Sequence, residues 1–144
     1  MIGEHKEFSQ ALFRQNDPKS RKVVKEYFIR NNIPLEDNTD KYGVDLLSKD
    51  GSLQIEVEHR LVWDSAEFPF DDINVPERKA KYFVENHICY VILSKDYSHI
   101  GMIDGKTLRK YLTVDTLKES SNRFVKKGEL FFKVPKSEFK WDKI

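Results

Sequence analysis

The chain has 144 residues, 39% hydrophobic and 34% charged, which excludes a disordered polymer and leaves room for one domain with one core. Lys and Arg total 25 against 24 Asp and Glu, so the formal charge is +1 and any binding field must come from local segregation of charge. A single cysteine, Cys89, excludes an internal disulfide framework, and no window approaches the length of an apolar membrane span.

In chain order, residues 4–15 pattern as a short helix with Phe8, Ala11 and Leu12 on one side, ended by NDPKS. Asp17-Pro18 reads as the start of a second helix, because the carboxylate can accept orphan N–H groups and proline costs nothing at the first helical position. That helix reaches about Asn31, with Val23, Val24, Tyr27 and Phe28 on one face and an i, i+4 ladder of Lys22, Glu26 and Arg30 on another. NNIPLEDNTDKY reads as a loop or a weak edge strand. A hairpin follows over residues 43–60, then a long ordered loop, VWDSAEFPFDDINVPE, rich in aromatics and acids.

Pro76 to Asn86 is expected to be a helix with Ala80, Phe83, Val84 and His87 on one face, leaving Arg78, Lys79 and Lys81 toward solvent or a ligand. ICYVILS has the continuous apolar character of a central strand, so strand, helix and strand together make a parallel crossover. Cys89 in that run is expected to be a buried, inert thiol. A turn through SKDYS leads to a strand at HIGMID, a helix at KTLRKYL and a last strand at ELFFKVP.

The hairpin GVDLLSKDGSLQIEVEHR carries the chemistry. Asp50-Gly51 signals a two-residue type I′ turn, which fixes the register: Leu47 opposes Gln54 and Asp45 opposes Glu56. Alternation then puts Asp45, Leu47, Gln54, Glu56, Glu58 and Arg60 on a polar face, and Val44, Leu46, Leu53, Ile55 and Val57 on an apolar one. Opposed Asp45 and Glu56 would have Cβ atoms about 5 Å apart, a destabilising pairing of like charges. Either the acids are solvated on the wet face of the hairpin, or a hard cation shared by Asp45, Glu56 and Glu58 turns the repulsion into a purpose.

GVDLL, a turn, then IEVE resembles the core of the PD-(D/E)XK nuclease superfamily, where an acid in one strand precedes an acid, any residue and usually a lysine in the next. Asp45 matches the first acid, Glu56 the second and Val57 the spacer, while Glu58 stands where lysine is usual, similar to a variant seen in some restriction endonucleases. VPERKAKYF also resembles a segment of small phage-type members. The resemblance implies an α/β fold with a restriction endonuclease-like αβββαβ core over roughly residues 18–94, a mixed central sheet flanked by helices, and additions over 95–144.

It further implies a Mg²⁺- or Mn²⁺-dependent endonuclease acting on DNA, with Asp45, Glu56 and Glu58 as catalytic and metal-binding acids. Arg60, Arg78, Lys79 and Lys81 are candidates for DNA contact and for the missing cation. Glu26 lies in the helix that supplies an extra acid in many members, with Glu4 and Glu7 as competitors. Double-strand cleavage by one site per subunit implies a homodimer. The alternative is a catalytically inactive module of the same fold that binds nucleic acid or a protein partner.

His59 is expected on the core face with Val57 as a satisfied structural histidine, and His5, His87 and His99 lack zinc-ligand spacing. No phosphate-cradling glycine loop or nucleophile elbow occurs, so no nucleotide cofactor is expected. The charged N-terminus has no apolar leader core, and the expected setting is cytoplasmic, the host cytoplasm if the protein is virus-encoded.

Overall fold

A computed structural model describes residues 7–40, 43–84, 87–119 and 129–144, with side chains from residue 18 onward. Helix α1 (Glu7–Arg30) is continuous and contains Pro18, so the expected break at NDPKS is absent. A proline removes its own N–H from the helical ladder, and the buried Val24, Tyr27 and Phe28 beyond it hold the C-terminal half of the helix on the sheet. The helix ends in a Schellman cap: Asn32, at φ 64°, donates to the Ile29 carbonyl, and the Ile33 N–H reaches Phe28 O at 2.8 Å.

The chain continues through β1 (Leu35–Asp37), β2 (Leu46–Ser48), β3 (Gln54–His59) and β4 (Asp72–Pro76) to a 3₁₀ helix at Glu77–Tyr82. It then forms β5 (Ile88–Leu93), β6 (His99–Asp104), the short α2 (Gly105–Arg109), β7 (Leu117–Glu119), β8 (Leu130–Pro135) and β9 (Lys140–Lys143). Six strands make one mixed sheet in the order β1-β2-β3-β5-β6-β9, and β4-β8-β7 make a second, antiparallel sheet. Within the first, β3 and β5 are parallel and every other pair is antiparallel.

The expected parallel pairing of β3 with ICYVIL is therefore present, but its connection is a strand and a 3₁₀ helix, where an α-helix was expected. The segment expected to be a loop contains β4, which pairs with β8. Its signal is weak because Ile73 and Val75 alternate with Asp72 and Asn74 over only five residues and end at a proline. HIGMID and ELFFKVP form the expected strands, and the helix expected at KTLRKYL is shorter, Gly105–Arg109.

Two cores lie on the two faces of the large sheet. On one, Leu46, Ile55, Val57, Val91, Leu93 and Ile100 pack against Val24, Tyr27 and Phe28 of α1. On the other, Ile88, Tyr90, Ile92 and Ile103 pack against Phe83, Ile73 and Val75 of the crossover and Phe132 and Val134 of β8. The fold is thus α/β in three layers, helix, mixed sheet and small sheet. Each fully buried aliphatic or aromatic side chain contributes about 1.5–3 kcal/mol, and β5, with Tyr90 through Leu93 all at 0% exposure, is its central member. No helix among the described residues is long and apolar enough to cross a membrane.

Candidate active site

The hairpin register is the one the numbering requires, with Leu46 opposite Ile55 and Leu47 opposite Gln54. The turn that makes it is wider than expected. Ser48 N–H donates to Leu53 O at 2.9 Å, and only Gly51, at φ 74°, has positive φ, so residues 49–52 form a four-residue loop instead of a type I′ pair. Asp50 Oδ1 holds that loop by accepting from the Ser52 N–H at 3.0 Å and from the hydroxyls of Ser48 and Ser52. These donors, the Ser52 N–H foremost, keep the Asp50 carboxyl down at about 2.

Asp45 sits one residue before β2, with its backbone continuing the ladder to β1 through Asn38 N–H and Asp45 O at 3.1 Å. Its Oδ2 accepts the Val57 N–H at 2.9 Å, which ties the first acid to the strand of the second. Val44, expected beside Leu46, joins the opposite core cluster, because strict alternation begins only where β2 does.

The polar face of β3 is not wet. Glu56 is 5% exposed and Lys79 6%, since the small sheet and the 3₁₀ helix cover them. Lys79 Nζ lies 3.0 Å from Glu56 Oε2 and 3.1 Å from Glu58 Oε2, so one ammonium bridges both acids. Arg60 Nη2 lies 3.2 Å from Glu58 Oε1 and donates to Tyr90 Oη at 2.8 Å and to the Asn74 carbonyl at 2.6 Å. Tyr90 in turn donates to Glu58 Oε2 at 2.7 Å. Lys133 Nζ, on β8, donates to Asn74 Oδ1 at 2.6 Å.

The local geometry of the crossover explains how Lys79 gets there. Arg78, Lys79 and Lys81 were all expected toward solvent or a ligand, but successive helical residues point about 100–120° apart, so the three cannot share one face. With three residues per turn, Arg78, Lys81 and Val84 fall in one exposed row, while Lys79 and Tyr82, and Ala80 and Phe83, turn inward. Val84, expected in the core, is accordingly 64% exposed. Arg78 Nε is 3.6 Å from Glu129 Oε1 at the rim.

Electrostatics follow from burial and partners. Burial would raise the Glu58 carboxyl, but Arg60, Lys79 and the Tyr90 hydroxyl hold it down at about 2. Burial would lower Lys79 and Arg60, yet Glu58 keeps both raised, with Glu56 adding to Lys79. Tyr90 is pushed up chiefly by burial, and Tyr82 by burial and then by the Glu56 and Asp45 carboxylates it stands beside. Glu58 is thus a permanently ionised acceptor and Lys79 a permanent ammonium; neither exchanges protons near neutrality.

Asp45, Glu56, Glu58, Lys79 and Arg60 come together, and Tyr82 joins them at the margin. Lys81 is exposed on the outer row. Glu26 is exposed on α1, which packs on the opposite face of the sheet from Glu56, so it does not reach these acids. Glu4 and the Glu7 side chain lie outside the described residues. Among the described residues no three His, Cys, Asp or Glu side chains converge as a metal-holding group. Glu58 instead faces the two cations, which leaves Asp45 and Glu56 as the pair that could serve a hard cation. That pair suits Mg²⁺, which takes one or two carboxylates and completes its shell with water and phosphate oxygens.

Tyr90, Asn74 and Tyr82 were not foreseen. Tyr90 had a signal, a lone hydroxyl in an aliphatic strand, and the parallel register puts it beside Glu56 on the acids' face. Asn74 meets Arg60 through its backbone carbonyl, which no sequence pattern marks, and Lys133 through Oδ1. His59 is structural as expected: it stacks on Tyr97 at 4.3 Å, and its Nε2 is 2.9 Å from Lys95 O. Cys89, expected to be buried, is only half-buried, and desolvation pushes its thiol up to about 12.

No protein-family model matches the chain, and a search of curated proteins finds no match.

Proposed function

We propose that this chain is a divalent-metal-dependent endonuclease that hydrolyses phosphodiester bonds in DNA, with a PD-(D/E)XK-like site in which Lys79 stands in for the lysine replaced by Glu58. The observation that carries this reading is the single ammonium of Lys79 bridging Glu56 and Glu58, next to an Asp45 tied to Val57 N–H. The cation comes from the crossover and reaches the acids from a different part of the chain.

In this reading Asp45 and Glu56 hold Mg²⁺ or Mn²⁺. The bound ion supplies an acidified water and a Lewis acid for the phosphoryl oxygens. Lys79 fixes the Glu56 carboxylate through Oε2 and presents positive charge to the scissile phosphate. Glu58 positions Lys79 and Arg60 and binds no metal. Arg78 and Lys81, on the outer row, meet the flanking phosphates of the DNA. Cleavage of both strands of a duplex then calls for two copies related by a two-fold axis.

A second reading, a non-catalytic module of this architecture that binds nucleic acid or a protein, draws on the charge balance of the cluster. Two acids, Glu56 and Glu58, meet two cations, Lys79 and Arg60, and such a set needs no metal to be stable. The deciding experiment incubates the purified protein with supercoiled, linear and branched DNA in Mg²⁺, Mn²⁺ or EDTA. The nuclease reading expects cleavage that disappears with EDTA, Asp45→Asn or Glu56→Gln. Binding without cleavage in either metal favours the module, and cleavage that survives EDTA removes the nuclease reading.

A further inference from the structure

Among the described residues β9 ends the large sheet: it pairs with β6 alone, and all four of its residues are exposed. The Ile144 N–H donates to Ser98 O at 2.8 Å, which sets the alternation of the ladder. Asp142 and Lys140 therefore bond to Ile100 and Met102, while the N–H and C=O groups of Trp141 and Lys143 point to the open edge. Lys143 satisfies its N–H within the strand, on Asp142 Oδ1 at 2.8 Å. Trp141 holds the remaining outward donor and acceptor. Its indole lies back over Gly101, where a Cβ would fall 2.6 Å from the ring, and stacks on Phe68 and Phe139 at 5.8 and 5.5 Å. The side chain thus leaves the edge uncovered.

An open edge is a template for another strand, and lysines usually deter the pairing. Here the charges select one partner. If KWDK meets a second KWDK antiparallel, outward groups must face outward groups, which allows few registers. Opposing Phe139 to Trp141 of the second copy sets Lys140 against Lys140, and opposing Trp141 to Lys143 sets Asp142 against Asp142. Opposing Trp141 to Trp141 sets Lys140 against Asp142, twice, on the face where Asp142 accepts from Tyr27 of α1 at 2.6 Å. The strand is complementary to itself in that register alone.

We propose that β9 pairs antiparallel with β9 of a second copy of this chain, across a two-fold axis at Trp141, so that two six-stranded sheets become one. The Trp141 N–H and C=O groups exchange two hydrogen bonds across the axis. Two pairs of Lys140 and Asp142 flank them, and a carboxylate with about four lone-pair sites can take the extra donor. Trp141 and Phe70, 38% and 54% exposed in the single chain and joined through Phe68, supply apolar area. A contact this short lies at the low end of interface sizes, so the association is concentration-dependent, with a dissociation constant in roughly the micromolar range.

The dimer is argued from the edge alone; its use in cutting both strands of a duplex rests on the nuclease reading above. Three strand steps separate β3 from β9 in each sheet and one joins the copies, so the two β3 strands stand about 34 Å apart at about 4.8 Å per step. That is about one turn of B-DNA, with both acid clusters on the same face of the joined sheet.

Sedimentation equilibrium of the full chain, without DNA or metal, is followed from about 1 µM to about 500 µM. The expected mass rises from one chain toward two. Lys140→Glu turns two attractions into repulsions and should weaken the dimer at least about tenfold, while Lys22→Glu on the exposed side of α1 should leave it unchanged. A mixture of Lys140→Cys and Asp142→Cys chains should form an interchain disulfide on oxidation, and neither variant alone should, since only the mixture opposes two cysteines about 4.5 Å apart at Cα. A single-chain mass at every concentration, a dimer indifferent to Lys140→Glu, or equal crosslinking in the unmixed variants would overturn the proposal. A dimer that cleaves no DNA in either metal removes the nuclease reading alone, and cleavage by a chain that stays monomeric removes this inference alone.

Discussion

Glu58 is surrounded by donors: Lys79, Arg60 and the Tyr90 hydroxyl all reach its carboxylate. Its carboxyl is held near 2 against a usual 4.5, so the unfolded chain binds its proton more readily than the folded one. Stability from Glu58 is therefore fully present above about pH 5 and is lost as pH falls toward 2, in all about 3 kcal/mol. Urea unfolding across that window should show a steep loss in the native protein and a flatter one in Glu58→Gln. Lys79 gives the complementary test. Lys79→Met takes the ammonium from the buried Glu56 and one of two cations from Glu58, and should cost about 3–5 kcal/mol near neutrality. The variant also loses one of the causes that hold the Glu58 carboxyl down, so its stability should fall less steeply toward low pH than that of the native protein, which the same unfolding series reads out.

The hairpin and the crossover act as devices for placing charge. The hairpin's register survives a change of turn type because the buried Leu46, Ile55 and Val57 lock it from the other side. Gly51, at φ 74° with open space within 4 Å of where a Cβ would sit, tests this separation: Gly51→Ala should cost about 1 kcal/mol from backbone strain alone and leave cleavage or DNA binding intact. In the crossover, Lys79 is buried against the acids while Arg78 and Lys81 are exposed. Lys81→Ala should leave thermal stability within about 0.5 kcal/mol. If the nuclease reading holds, it should also weaken DNA binding alike for all sequences and reduce the salt slope by about one. The same substitution at Lys79 should unfold the site, which unfolding curves and binding isotherms distinguish.

At the scale of the whole molecule the large sheet carries a helix on one face and a second sheet on the other, and the candidate site lies between the sheets. Metal is expected to act at the margin near Asp45 and Tyr82, so Mg²⁺ should raise the melting temperature of the native protein and not of Asp45→Asn or Glu56→Gln. Binding at a hundred times the dissociation constant corresponds to about 2.7 kcal/mol. Lys79→Gln, where folded, should slow any cleavage by roughly 10²–10³-fold, as loss of one charge-stabilising donor does.

The strand periods, the acid register and the buried parallel strand were all readable in the chain, because each depends on neighbours close in sequence: alternation about Ile55 and Val57, an Asp-Gly turn, an unbroken apolar run at ICYVIL. The mixed α/β class followed from their order. What local pattern could not supply was the cover over the acids. β4 pairs with β8 about sixty residues away, and that pairing turns a hairpin face expected to be wet into an interior. ERKAKY winds as a 3₁₀ helix beside that packing, with Lys79 buried and Lys81 exposed. The identity of the acids is thus written in the chain; the cation that answers them is set by long-range contacts, because one residue's rotation on a short helix depends on what the rest of the molecule presses against it.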